Sequence, residues 1–261
     1  MNEPNHLVAV EAGVARVILN RPDVHNALDD QLIADLNETL ERIGADPAVR
    51  IVMLTGQGGS FCAGGDLNWM RRTADYTYEQ NFADAQGLAR LLYTLNTLPR
   101  ATLALVNGPA YGGGVGLVAC CDIAIAADTA KFSLSEVRLG LIPATISPYV
   151  VRKIGESNAR RYFLTGEVFE GADAEKLGLV HEVVPVDELA DATAWFIKRL
   201  REGGPMAQSA AKQLIARVAG TPLDEELMDD TARRIAEQRA TPEGKEGAEA
   251  FLAKRKPRWQ S

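Results

Sequence analysis

The 261-residue sequence predicts an α/β fold of parallel strands joined by crossover helices, followed by a helical C-terminal region. Three observations carry this. The order strand, helix, strand, glycine loop, helix occurs twice, which calls for parallel pairing. The segments RIVMLTG and TLALVNG are near-continuous apolar runs, as in strands covered on both faces. From about Gly140 the hydrophobic pattern turns mostly helical.

In chain order, LVAVE and VARVILN, parted by Ala12-Gly13, read as a hairpin. A helix is expected from about Asp29 to Ile43, with Leu32, Ile33, Leu36, Leu40 and Ile43 on one face and Gly44 just past its end. The strand RIVMLTG and the loop GQGGSFCAGGD follow, then a long helix from Tyr78 to Leu98, stopped by Pro99. TLALVNG leads into a run of glycines, with CDIAIAAD and KFSLSE as further short strands. Segments 187–202, 205–219, 222–239 and 242–253 are expected helices, the last three with proline near their start. The expected division is a core over residues 1–195 and a helical region over 196–261.

Composition bounds the function. A hydrophobic content of 46% is ordinary for a globular protein and supplies a sizeable core. A formal net charge of -7 argues against nucleic-acid or anionic-membrane partners, which need a basic face, while leaving room for a local basic pocket. Cys62, Cys120 and Cys121 are odd in number and form no disulfide framework, as in a reducing cytosol. His6, His25 and His181 lie at no metal-ligand spacing, so no metal is expected. No run approaches the roughly 18 apolar residues of a membrane helix. The start, MNEPNHLVAVEAG, lacks the features of a signal peptide. A cytoplasmic protein is expected.

Two glycine-rich loops, Gly58 to Gly65 and Gly108 to Gly114, each follow a buried-type strand and lead into a helix-like segment. A bare backbone can be approached closely, and N–H groups at a helix start point outward unpaired. Two such turns side by side would offer two donors to one oxygen, an oxyanion hole. Tight packing of helix on strand accounts for the same glycines, and spacing alone leaves both readings open. Neither loop has the G-x-G-x-x-G spacing of a dinucleotide site, and no P-loop is present.

The segments LNRPDVHNAL, GSFCAGGDL, VNGPAYGGGVGL, FSLSEVRLGLIP and LTGEVFEGADAEKLGLVHEVV, with the tail FLAKRKPRW, resemble in order and wording the crotonase superfamily, the enoyl-CoA hydratase/isomerase family. The resemblance spans nearly the whole chain. It implies a spiral of ββα units with a helical trimerisation region, a homotrimer or dimer of trimers, and an acyl-CoA thioester substrate that carries its own coenzyme A, with no further cofactor. It also implies that the N–H groups of Gly65 and Gly113 hold the thioester oxygen. Contacts to substrate and coenzyme A would come from Val24, Ala27, Ala63, Gly64, Asp66, Leu67, Tyr111, Gly112 and Gly116. Phe251 and Lys254 of the C-terminal helix, often a neighbour's, would complete the site.

Family hydratases use two glutamates. The second matches Glu136; the first falls at Gly116, so one acid is absent. On residues alone, Glu136 is a turn glutamate or a partner for Arg138; with the resemblance it is the acid–base group. A single carboxylate fits a double-bond isomerase, or a hydratase in which Glu136 handles both water and proton. A catalytically silent acyl-CoA binder is a further alternative, against which the retained Glu136 and glycine loops speak. The wording GGGVGLVACCDIAIA and FSLSEVRLGLIPATISPYVVRKIG looks most like the bacterial subgroup related to methylglutaconyl-CoA and carboxygeranoyl-CoA hydratases. That subgroup acts on branched enoyl-CoAs bearing a second carboxylate, in leucine and acyclic isoprenoid breakdown. On this reading Gly116 makes room for the branch, and Arg72 or Arg138 meets its carboxylate. The cysteines are expected to be inert buried residues, and His25 a solvated loop residue.

Overall fold

Ala12 and Gly13 turn the first corner at φ 47° and 77°, both left-handed as a tight hairpin turn requires. They join β1 (His6–Glu11) to β2 (Val14–Leu19) in an antiparallel pair. The computed structural model describes residues 4–260. Residues 1–3 and 261, which the two expected regions include, lie outside the described residues.

Helix α1 (Asp30–Ala45) starts where the Asp29 carboxylate accepts the Leu32 N–H at 2.8 Å. Its apolar face, Leu32, Ile33, Leu36, Leu40 and Ile43, is buried. Gly44 lies inside the last turn rather than past it; the helix stops at Asp46, which swings to extended backbone and donates its N–H to the Ile43 carbonyl.

The chain then runs through β3 (Ile51–Gly56), α2 (Leu67–Thr73), α3 (Tyr78–Thr97), β4 (Ala101–Val106), β5 (Ala110–Tyr111), α4 (Gly113–Cys120), β6 (Ile123–Ala127) and β7 (Lys131–Ser133). The strand expected over KFSLSE is shorter than its pattern, and Glu136 opens a 3-10 turn, Glu136–Leu139. Next come α5 (Ser147–Thr165), with non-helical backbone at Gly155, then β8 (Val168–Glu170), α6 (Gly171–Leu177) and β9 (Glu182–Val184). With three residues each, β8 and β9 are too short to carry a period, and the mostly helical reading after Gly140 passes over them.

One sheet has the order β1-β2-β3-β4-β6-β9, and a second has β5-β7-β8. The pairs β2–β3, β4–β6 and β6–β9 are parallel, as the crossover order demands. Leu91, Leu92 and Leu95 of α3, Val115 and Val118 of α4, and Phe132 are fully buried between these layers.

The chain divides into two units, Met1–Leu98 with Thr102–Ala194, and Pro99–Ala101 with Trp195–Ser261. The second unit holds α7 (Leu189–Glu202) from Trp195 on, α8 (Pro205–Val218), α9 (Glu225–Ala240) and α10 (Pro242–Leu252). Pro205 and Pro242 begin their helices, whereas Pro222 lies before α9, which Asp224 caps. Within this unit Trp259 donates its indole N–H to the Glu202 carbonyl at 3.1 Å.

Candidate active site

The two glycine loops run side by side. Cys62 and Ala110 form a parallel bridge, with the Tyr111 N–H on the Cys62 carbonyl at 2.9 Å and the Cys62 N–H on the Pro109 carbonyl at 3.2 Å. Three residues beyond the bridge on each side stand Gly65 and Gly113. The backbones also touch one residue earlier: a Cβ on Gly64 would lie 3.9 Å from the Gly112 Cα. The packing reading of the glycines is supported here, since a Cβ on Gly114 would run into the Cys62 carbonyl.

Hydrogen bonding leaves two donors over. The Leu28 N–H bonds the Gly64 carbonyl at 2.7 Å and the Asp66 N–H bonds the Leu28 carbonyl at 2.8 Å, so the alternation of an extended chain turns the Gly65 N–H the other way. Gly113 is the first residue of α4, where an N–H has no intrahelical partner. Among the described residues neither N–H donates to another group of the chain.

Glu136 faces this backbone. A Cβ on Gly112, whose φ is 47°, would stand 3.0 Å from Glu136 Oε1. Glu136 Oε2 is buried without a hydrogen-bond partner among the described residues. Burial raises the proton affinity of this carboxyl above the ordinary glutamate range, opposed only in part by its own backbone N–H.

Asp66 turns inward. Its side chain accepts the N–H groups of Asn68 (2.8 Å) and Trp69 (3.2 Å) at the start of α2 and meets Arg21 Nη2 at 3.0 Å. Burial opposes its charge, but these N–H groups and the guanidinium outweigh it and hold the carboxyl below the usual aspartate range. The expected ligand contact therefore does not come from this carboxylate, which instead fixes the turn after Gly65. Arg21 also binds Asp29 (2.8 Å) and the Ala27 carbonyl (2.5 Å), and buried Asn26 donates to the carbonyls of Gln57 (2.9 Å) and Ser60 (2.8 Å). These two positioning residues were not singled out in the sequence, although both sit in the segment LNRPDVHNAL.

Of the other expected contacts, Val24 and Leu67 are exposed, at 39% and 71%, Ala63 and Tyr111 are half-buried, and Ala27 and Gly64 are buried. Gly116 makes no room. A Cβ there would collide with Ile146, so the space expected for a substrate branch is filled by that side chain. Arg72 is occupied as well, by Asp30 at 2.5 Å; Arg138 forms no ion pair among the described residues. Burial pushes the Cys62 thiol up to about 12, which makes it inert at neutral pH. His25 is exposed and contacts the Ser60 hydroxyl at 3.0 Å. Among the described residues no group of three or more metal-ligating side chains could hold an ion, and no helix is long and apolar enough to cross a membrane.

Phe251 and Lys254 belong to the second unit, where Phe251 is 83% exposed and Lys254 follows α10 at φ 53°. In the same basic tail, Arg255 and Arg258 pair with Glu246 at 2.6 and 3.6 Å. The hydrogen bonds from Arg255 hold Glu246 down to about 2.

Two outward N–H groups next to a buried carboxyl of raised proton affinity are an arrangement that can stabilise an oxygen anion and move a proton beside it. The enoyl-CoA hydratase/isomerase family matches residues 9–261, and the chain belongs to that family, in the crotonase superfamily. The crystal structure of an enoyl-CoA hydratase from Shewanella pealeana superposes with a TM-score of 0.96 at 42% identity, covering 98% of this chain and 96% of that one. Pseudomonas aeruginosa AtuE gives 0.95 at 38%, over 99% and 100%. Enoyl-CoA hydratase ACTT6 of Alternaria alternata is 36% identical over 231 residues, 88% of this chain and 74% of its own length.

Proposed function

We propose that the protein is a hydro-lyase that adds water reversibly across the double bond of a branched, dicarboxylic enoyl-CoA, using Glu136 alone as base and acid. The observation that carries it is the Glu136 carboxylate seated at Gly112, with one oxygen buried, beside the N–H groups of Gly65 and Gly113, none of the three having a hydrogen-bond partner among the described residues.

With the thioester oxygen between the two N–H groups, negative charge building on that oxygen is stabilised as the β-carbon is attacked. Glu136 takes a proton from the attacking water and delivers it to the α-carbon, so the carboxylate is regenerated. Removal of one such N–H donor from an oxyanion hole typically costs about 10²–10³ in rate.

The dicarboxylic preference is supported by the wording of residues 112–126 and 132–155, and by Arg138, two residues past Glu136 and without an ion pair among the described residues. The opening for the branch is not at Gly116. For coenzyme A, Lys254 serves as a phosphate contact and Phe251 helps complete the site, within a homotrimer or dimer of trimers; the exposure of Phe251 supports that role. A double-bond isomerase is the second reading, favoured by the single carboxylate.

The test is incubation with 3-methylglutaconyl-CoA and crotonyl-CoA in H₂¹⁸O, with mass detection, beside Glu136→Gln. Label entering the branched acid, and lost in the variant, supports the proposal. A shifted double bond or α-proton exchange without label supports the isomerase. Tight binding with neither leaves a silent acyl-CoA binder.

A further inference from the structure

We propose that Ile146 is a positioning residue for Glu136, and that position 116 is glycine in order to seat it. Helix α4 and the segment 136–146 meet at two places. At the start of the helix, Gly112 lies against the Glu136 carboxylate, 3.0 Å from a built Cβ to Oε1. One turn on, the Gly116 N–H bonds the Gly112 carbonyl at 3.1 Å, so the two residues share a helix face. On that face a Cβ at 116 would stand 3.0 Å from Ile146 Cβ and closer still to its Cγ2, with Leu92 Cδ2 at 3.4 Å.

Ile146 has little freedom to give way. It is 2% exposed, and its β-branched side chain is stiff at χ1. Its carbonyl accepts the N–H groups of Tyr149 and Val150, both at 3.1 Å, at the start of α5. At the other end of the segment, the Leu141 N–H bonds the Glu136 carbonyl at 3.0 Å. Glu136 therefore sits on a stretch of chain closed at one end by that bond and pinned at the other by Ile146 in the Gly116 seat. Close-packed interiors do not absorb an added methyl group without movement.

The inference rests on the reading of Glu136 as the acid–base group. Gly116→Ala is expected to lower kcat roughly 10- to 100-fold with little change in KM, because a displacement of about 1 Å at a catalytic group is enough. The acid limb of its kcat/KM profile should also move toward an ordinary carboxylate. A folded Gly116→Ala enzyme with unaltered kcat and acid limb overturns the proposal. Should Gly116→Ala not fold, Ile146→Ala empties the seat without a collision, and unaltered kcat and acid limb there overturn the proposal equally.

The ionisation of Glu136 can also be followed without turnover, by ¹³C NMR of δ-labelled glutamate with Glu136→Gln assigning the signal. It should shift in Gly116→Ala and in Ile146→Ala; no shift in either folded variant sinks the idea. If the unaltered enzyme leaves both enoyl-CoA substrates untouched, the functional reading falls, and the NMR measurement still decides whether Ile146 holds Glu136 in place.

Discussion

Glu136 Oε1 lies so close to the backbone of Gly112 that a side-chain carbon there would stand 3.0 Å away. The residue just before Gly113 is thus also the wall against which the proposed acid–base group rests. Gly112 holds φ 47° and ψ -114°, a region that L side chains rarely adopt.

Gly112→Ala combines backbone strain with displacement of the carboxylate. We expect a loss of stability of about 1–3 kcal/mol. A fall in kcat should exceed any change in KM. Chemical denaturation and steady-state kinetics on crotonyl-CoA check both; an enzyme with unaltered kcat would separate the carboxylate from this backbone.

Glu136→Gln should lower kcat by about 10²–10⁴ with KM little changed. In the unaltered enzyme the acid limb of kcat/KM should fall above the ordinary glutamate range, since burial raises this group. The same shift has a sign for stability. The native state holds the proton more tightly than the unfolded chain, so the contribution of Glu136 is full below the ordinary range and is lost as pH rises through its raised value. Glu136→Gln should therefore melt higher than the unaltered protein at neutral pH, and the difference should close as pH falls below 4. Equal melting at both pH values would contradict the burial argument.

Asp66→Ala removes the cap of α2 and one of the two carboxylates on Arg21, the other being Asp29. The cap alone is worth about 0.5–2 kcal/mol. Because Asp66 follows Gly65 directly, kcat should drop with the loosened turn. Asp66→Asn keeps an acceptor for the cap and should retain more stability. Thermal melting of the two variants gives the ranking.

Lys254→Ala should raise KM for a CoA thioester several-fold at low salt, with the effect shrinking as salt is added. Arg255→Ala should instead release Glu246, which that arginine holds down to about 2. An unchanged KM in Lys254→Ala would leave this lysine with no more than a helix-terminus role.

The hairpin, the parallel crossovers and helix α1 were legible because each depends on neighbours in sequence: Ala12 with Gly13, a run of apolar residues, the helical spacing from Leu32 to Ile43. The side-by-side loops were legible as a possibility from their glycines and as an expectation from the family resemblance. Gly116 was misread because its meaning lies thirty residues away, in Ile146, and packing partners at that separation leave no local signature. Asp66 reads in sequence as a polar residue in a binding loop; its inward turn depends on Arg21, across 45 residues. Gly44 carries the composition of a helix stop, yet Asp46 supplies the stop instead.

The bridge between Cys62 and Ala110 has a consequence for how these loops can change length. Each donor lies three positions downstream of that single rung. One residue inserted between 62 and 65 would reverse the direction of the Gly65 N–H and leave that of Gly113 unmoved, so an oxygen held between them would be met from one side only. Residues added upstream, around Gly58 to Ser60, would shift nothing past the rung. The pair behaves as a vernier, continuous on one side of its zero mark and stepped on the other.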